Sequence, residues 1–213
     1  MSKALIIAGT DTDVGKTVVA AGLVACLPDA LYWKPVQAGL EPATDTEVVQ
    51  ALTGLPTECF LSEVYKFKTP VSPHHAARLE DVTIAPSLLS KPEVFAPLVI
   101  ESAGGVMSPL TDNFLNIDLF ARWQEPVILV ARTALGTINH SLLSLTAMRA
   151  RDVPIGGIIF VGDEQPETQE IITRLSGVWS LGRLPWMNSL DAARLHLAMQ
   201  AHVDIAAIRA MLE

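Results

Sequence analysis

The stretch that most constrains the fold runs from Lys3 to Thr17. It holds the apolar run Ala4-Leu5-Ile6-Ile7-Ala8, then Gly9-Thr10-Asp11-Thr12-Asp13-Val14-Gly15, then Lys16-Thr17 opening a second apolar run. It reads as a short buried strand, a glycine-bounded loop and the first turn of a helix. In that order the loop and helix start turn backbone N–H groups, and the positive end of the helix dipole, toward one point that suits an anion. Lys16 reaches β- and γ-phosphate oxygens and the Thr17 hydroxyl suits a Mg²⁺ ion, so the stretch reads as a nucleoside-triphosphate cradle. The commoner form of this motif has four residues between its glycines, whereas Gly9 and Gly15 enclose five. The alternative is a chance Gly-Lys-Thr in an ordinary strand-to-helix turn, and the flanking elements decide between the two.

Those elements favour the cradle. Ala20, Leu23, Val24 and Leu27 fall on one helical face, which Pro28-Asp29 ends. Ala30 to Lys34 reads as a second strand stopped by Pro35, which lacks an N–H for a ladder. A strand–helix–strand unit implies a right-handed crossover and parallel strands. Residues 37–97 are less regular, with a short helix from Asp45 to Leu52, a strand from Val64 to Phe67, a proline-bearing loop around His74-His75 and a helical turn near Ser87 to Leu89. Further strands are expected at Ala96–Glu101, Pro126–Ala131, Pro154–Val161 and Val178–Leu184. Helices alternate with them at Asn116–Trp123, Thr137–Asp152, Pro166–Ser176, Leu190–Met199 and Val203–Leu212. In the longest of these, Ile138, Leu142 and Leu145 share a face. Cys26, Trp33, Trp123 and Trp179 are expected in the core. The fold class that follows is α/β: one domain over residues 1–213, with an open, doubly wound, mostly parallel sheet and helices on both faces.

A chain of 213 residues that is half hydrophobic can build one such core. Its formal net charge of −8 disfavours a nucleic-acid binder, which needs phosphate-neutralising Lys and Arg. Cys26 and Cys59 stand outside any metal-ligand spacing. No apolar run reaches membrane-spanning length and no leader pattern opens the chain, so a cytoplasmic protein with no membrane partner is expected.

In doubly wound sheets ligands bind beyond the carboxyl ends of the strands. That rule selects the loop after the first strand, Lys34, Glu101, residues 132–139 and Gly162-Asp163. Mg²⁺ takes oxygen ligands, commonly one or two carboxylates plus phosphates. Glu101 closes an apolar strand, where a carboxylate is costly unless it coordinates or pairs; an exposed strand-end charge is the other reading. Asp45 serves equally well as a metal ligand or as a helix N-cap. Lys34 is either a solvated strand-end lysine or a cation that neutralises a transferring phosphoryl group. Gly104-Gly105 either admits a ligand close to the backbone or makes a turn. His74 and His75 lack a third ligand at metal spacing, which points to a loop or interface role.

Gly9 to Thr17, Lys34-Pro35-Val36, Glu101-Ser102-Ala103-Gly104-Gly105, Gly136-Thr137-Ile138-Asn139-His140 and Leu184-Pro185-Trp186, in that order, resemble dethiobiotin synthetase. Ser72-Pro73-His74 matches a further feature of that family. The resemblance implies a P-loop NTPase-like ligase of biotin biosynthesis, using ATP and Mg²⁺ to close the ureido ring of dethiobiotin from 7,8-diaminononanoate and CO₂ (or bicarbonate). It implies a carbamate whose oxygen attacks the γ-phosphorus, and then a carbamic–phosphoric anhydride that the second amine opens.

By the same resemblance Lys16 and Lys34 are catalytic, and Thr17, Asp45 and Glu101 hold the metal. The nucleotide contacts are Asp13, Val14, Gly15, Lys16, Thr17 and Val18, then Ser102, Ala103 and Gly104, with Gly162, Asp163, Pro185, Trp186 and Met187 toward the base. Thr12, Lys34 and Ala38 meet the substrate, and Gly136, Thr137, Ile138 and Asn139 of a neighbouring chain receive its carboxylate in a homodimer with interface sites. Two positions depart from the pattern. Ala38 stands where many relatives have a substrate-contacting serine. Gly162 stands where relatives often have an asparagine that reads adenine, with Asn188 and Asp191 as nearby substitutes. Two other classes are a partition-type or switch ATPase and a related amide-forming cofactor synthetase. The first places a lysine early in this loop, where Thr10-Asp11-Thr12 stand here; the second carries an added glutaminase region.

Overall fold

The computed structural model describes residues 3–213. In chain order the elements are β1 (Ala4–Gly9), α1 (Lys16–Cys26), β2 (Leu31–Trp33), β3 (Val36–Ala38), α2 (Asp45–Thr53), β4 (Phe60–Leu61), β5 (Tyr65–Phe67) and α3 (Pro73–Leu79). They continue with β6 (Leu98–Gly105), β7 (Pro109–Thr111), β8 (Phe114–Leu115), α4 (Asn116–Trp123), β9 (Val127–Arg132) and α5 (Thr137–Arg149). The chain closes with β10 (Ile155–Val161), α6 (Pro166–Ser176), β11 (Ser180–Leu184), α7 (Ala192–His202) and α8 (Ile205–Ala210). The main sheet has seven strands in the order β11-β10-β9-β1-β6-β2-β4, and every pairing in it is parallel.

The central strands are apolar along their whole length because helices cover both faces. Alternation sorts their side chains into two cores. Ile6, Ala8, Ile100 and Leu129 meet Phe120 of α4 with Leu145 and Met148 of α5. Leu5, Ile7, Val99 and Val130 meet Val19 and Leu23 of α1 with Leu195 and Met199 of α7. The same period of two sets the site. Glu101 shares the face of Val99, so it points toward α1, while Ser102 points to the other side.

Several expectations are corrected. β6 runs on to Gly105, so Glu101 lies inside a strand paired with Ile7 of β1 rather than at its end. The segment holding His74 and His75 is the first turn of α3, started by Pro73 at a position that needs no N–H. The buried face of α5 is Thr137, Ser141, Ser144, Leu145 and Met148, while Ile138 is exposed. Small hydroxyl residues let this helix sit close to the sheet, a choice that a count of apolar residues misses. Trp179 is 73% exposed just before β11 instead of in the core. Cys26 is half-buried, its Sγ 3.6 Å from His196 Nδ1, and burial pushes its thiol up. Short strands β3 and β4 and the β7–β8 hairpin went unread because two- or three-residue runs carry no periodic signal.

Candidate functional site

The loop after β1 folds back over the strand end. Thr10 N–H donates to Val130 O at 3.0 Å, and the Lys16 ammonium donates to Asp11 O at 2.9 Å. Gly15 caps α1 with φ +99°, a conformation that favours glycine, and a Cβ there would also come 3.1 Å from Val161 Cγ1, so that side chain would have to give way. α1 has no side-chain cap and no acidic residue in its first turn, so its leading N–H groups stay free for an anion.

β2 delivers Tyr32 and Lys34 to the face of the sheet that carries Glu101. Lys34 is 3% exposed and Glu101 0%. The three ammonium protons of Lys34 meet three acceptors: Asp45 Oδ2 at 2.7 Å, Glu101 Oε1 at 3.0 Å and Ser102 O at 3.1 Å. The open reading of Lys34 thus closes on a buried, fully partnered cation. Tyr32 OH donates to Glu101 Oε2 at 2.8 Å. The alternative for Asp45 closes as well. Thr44 caps α2, accepting from Glu47 N–H at 3.2 Å, and Glu47 returns the contact to Thr44 N–H at 2.7 Å. This capping box leaves the Asp45 carboxylate free to face the cavity.

The charges follow from these contacts. Burial, and then the charge of Lys34, lower Lys16 to about 8. Burial alone would lower Lys34, but Glu101 and Asp45 outweigh it and raise it. Burial would raise Asp45, and Lys34 reverses that, holding it below its usual range. Tyr32 is pushed well above its ordinary value by burial first and by Glu101 second.

Thr17 Oγ1 lies 3.0 Å from Asp45 Oδ1 and 2.9 Å from Glu101 Oε1. A hydroxyl has one proton and can satisfy only one of them. Three oxygens, two of them from carboxylates, converge here and form a donor set that fits a hard divalent cation. Among the described residues no group of three or more His, Cys, Asp or Glu side chains offers another metal site.

A cavity of about 640 Å³ collects most of the expected residues: Thr12, Asp13, Gly15, Lys16, Thr17, Val18, Lys34, Ala38, Asp45, Glu101, Ala103 and Gly104. Val14 packs into the core and Ser102 faces the opposite side of the sheet, so neither lines it. Gly136, Thr137, Ile138, Asn139, Asp163 and Trp186 instead line a separate cavity of about 790 Å³. Arg132 ties the walls of the two together by donating to Thr12 O at 3.2 Å. Gly162 sits at φ +130°, where a Cβ would meet Thr133 Oγ1 at 2.5 Å and Trp186 Nε1 at 3.4 Å. An asparagine there would be both strained and blocked, which accounts physically for the glycine. Trp186 itself is 64% exposed, Pro185 is half-buried, and Met187 packs partly against the α1-side core. Asp191 caps α7, accepting from Arg194 N–H at 2.9 Å, which spends one of its carboxylate oxygens locally.

Sequence reasoning missed three contributors. Tyr32 was visible as the residue two before Lys34 on the same strand face. Gln37 bridges the site, accepting from Asp45 N–H at 3.2 Å and donating to Gly39 O at 2.9 Å. Ser108 lines the cavity and accepts from Gly105 N–H at 2.8 Å, a contact that depends on a hairpin the sequence does not signal.

Residues 3–194 match a family model described as an AAA domain. The chain is 53% identical to an ATP-dependent dethiobiotin synthetase BioD from Brucella anthropi, over 96% of each chain. It is 52% identical to one from Rhizorhabdus wittichii, over 94% of this chain and 96% of that one. Among solved structures it is similar to a MinC:MinD cell division protein complex from Aquifex aeolicus, with a TM-score of 0.55 and 13% identity over 100% of this chain and 97% of that one. It is also similar to a putative plasmid partition protein from Borrelia burgdorferi bound to AMPPNP, with a TM-score of 0.57 and 11% identity over 99% and 98%. At such identities these two likenesses show a shared α/β fold and nothing more.

Proposed function

Because the chain belongs to the ATP-dependent dethiobiotin synthetase family, we propose that it closes the ureido ring of dethiobiotin from 7,8-diaminononanoate, CO₂ and ATP with Mg²⁺. One observation carries this reading. A buried lysine, Lys34, stands between two carboxylates and beside a phosphate loop, where a solvated charge has no reason to be. Phosphoryl transfer needs positioning and charge stabilisation more than covalent chemistry from the protein, and this arrangement supplies both.

In this reading the loop from Asp13 to Val18 cradles the triphosphate, and Lys16 exchanges its contact with Asp11 O for phosphate oxygens. Thr17, Asp45 and Glu101 hold Mg²⁺, which when bound neutralises charge on the transferring phosphoryl group. Lys34 leaves part of its ion-pair network to meet the carbamate and the phosphate oxygens. Thr12 and Ala38 contact the diamine, which loses a hydroxyl contact at Ala38, and Ala103 and Gly104 close on the nucleotide with Ser102 supporting them from behind. Gly162, Asp163, Pro185, Trp186 and Met187 border the base without an amide at Gly162. Gly136, Thr137, Ile138 and Asn139 at the start of α5 take the substrate carboxylate of a second copy through the helix N-terminus, the Thr137 N–H itself donating to Ala134 O at 3.1 Å, which makes a cytoplasmic homodimer. A partition-type ATPase fits less well, because Thr10-Asp11-Thr12 stand where that class places a lysine.

With ATP and bicarbonate present, phosphate release is expected to depend on the diamine and to match labelled dethiobiotin one for one. Equal release without the diamine contradicts the proposal.

The charge state of Lys16 makes a second prediction. A bound polyanion raises its pKa from about 8, so binding takes up a proton wherever the free lysine is neutral. Lys34, Glu101, Asp45 and Asp13 also act on it, and Lys34 stays charged because its own pKa is raised. Above pH 7 the phosphates are fully ionised and add little. ADP affinity is therefore expected to be flat below about pH 8 and to fall above it, by up to about tenfold per pH unit. Titration calorimetry from pH 7 to 9.5 checks this; a flat affinity throughout contradicts it.

A further inference from the structure

We propose that Ser72 and His74 form a proton relay for the ring-closing amine: Ser72 Oγ takes the amine proton, and His74 passes a proton to solvent through a second groove. The inference rests on the ring closure proposed above and assigns residues to its last step.

Ser72 lines the phosphate-side cavity, as do Ala38 and Gly39. The wall it belongs to is tightly built, since a Cβ on Gly39 would lie 3.0 Å from Pro70 Cβ. Ser72 holds the N-cap position of α3, yet its hydroxyl caps no helix N–H group. A serine in that position ordinarily turns inward to the helix. Here Oγ lies 3.0 Å from His74 Nδ1 instead. The imidazole lines a different, open groove of about 540 Å³, together with Arg78, Asp81 and Asp112. One hydrogen bond thus crosses the wall from the reaction cavity to a solvent-facing groove.

The chemistry needs such a path. When the second amine attacks the carbonyl carbon of the carbamic–phosphoric anhydride, a C–N bond forms. The C–O bond to phosphate breaks with its electron pair, and the departing phosphate takes the proton that the nitrogen sheds as it bonds. Before it attacks, that amine, an ammonium ion at neutral pH like a lysine side chain, must lose another proton. Neither lysine is placed to accept it. Lys34 is charged with all three protons engaged, and the Lys16 ammonium donates to Asp11 O. Asp45 and Glu101 are committed to Lys34 and Thr17. With His74 as the Nε2–H tautomer, Ser72 donates its proton to Nδ1 and keeps lone pairs for the cavity. The amine proton moves to Ser72 Oγ as the Ser72 proton moves to Nδ1, and the imidazolium releases a proton from Nε2 to water. The charged groups around His74 are Arg78, Asp81 and Asp112, with the His75 ring 6.2 Å away; Arg78 and Asp112 pair with each other at 2.8 Å. Ser72 is the catalytic residue in this scheme, and His74 acts through it.

The test uses the full chain in single turnovers with ATP, bicarbonate and 7,8-diaminononanoate from pH 6 to 9, comparing wild type with Ser72→Ala, His74→Gln and the double variant. Each single variant is expected to close the ring about 10²-fold more slowly, with the double variant no slower than either. The wild-type rate should show a pH limb that His74→Gln lacks. Added imidazole should restore His74→Gly by about tenfold or more, which a structural role would not allow. ADP affinity should stay within about twofold of wild type, because the relay touches no phosphate contact. Single variants with wild-type rates and an intact pH limb overturn the relay, as does a slowed variant that also loses ADP binding or that imidazole does not rescue. Absence of dethiobiotin from the wild type would sink the proposed function itself, whereas product from unaffected variants sinks only the relay.

Discussion

Lys34→Ala is expected to abolish dethiobiotin formation and to destabilise the free protein by about 3–5 kcal/mol, because it removes one partner of a buried charge cluster. Three acceptors lose their donor at once: Asp45 Oδ2, Glu101 Oε1 and Ser102 O. Glu101 keeps Tyr32, and the single Thr17 hydroxyl proton serves either Glu101 or Asp45, but two negative charges then face each other without a cation. Two features separate this from simple lost packing. Mg²⁺ should recover part of the loss, since a cation that binds only the folded state stabilises it by mass action. Lower pH should recover part of it too. Without Lys34, burial is left to raise the Asp45 carboxyl in the folded state, and a raised pKa favours the fold below the unfolded value and loses that advantage as pH rises. Thermal melts with EDTA or Mg²⁺, at pH 5 and pH 7.5, check both. Normal turnover, or a loss indifferent to metal and pH, contradicts the assignment.

Lys16→Met should have the opposite sign on stability. Burial and Lys34 lower Lys16 from 10.5 to about 8, so at neutral pH the folded protein carries a cation it disfavours by about 3 kcal/mol. Removing that charge in a side chain of similar length is expected to raise stability by about 2–3 kcal/mol, offset in part by the lost contact to Asp11 O. The same change removes the cation that meets the triphosphate, so ATP affinity should fall by about 10²-fold or more. A variant that melts higher yet no longer binds nucleotide is the expected pair of results. A lower melting temperature, or retained affinity, contradicts this account of the lysine as held in strain for an anion.

The two lysines also show what the sequence reveals and what it withholds. The strand–loop–helix around Gly9 to Thr17 was legible because each part has a local physical cause: an apolar run, glycines at forced dihedrals, and an uncapped helix start. The parallel sheet followed from continuous apolar strands. Lys34 and Glu101 were legible as candidates at strand ends and Asp45 at a helix start, but the residues alone could not separate solvated from buried charges. That distinction depends on register: Glu101 points at Thr17 because β6 extends past it and shares the parity of Val99. Asp45 is free because Thr44, one residue earlier, takes the cap. The Ser72–His74 contact was hidden for a similar reason. A proline-bearing stretch reads as loop, whereas Pro73 starts a helix that places the ring against the serine. The α5 face and Trp179 went wrong where apolar residues were assumed to be buried.

The central claim is that the γ-phosphate goes to a carbamate oxygen and not to water. The most direct measurement supplies ¹⁸O-labelled bicarbonate with ATP and 7,8-diaminononanoate in unlabelled water, quenches before label washes out, and weighs the released phosphate. The account predicts one ¹⁸O in the phosphate for each dethiobiotin formed, because the oxygen that attacks phosphorus leaves with it. Phosphate free of ¹⁸O, with its new oxygen drawn from water, would contradict it.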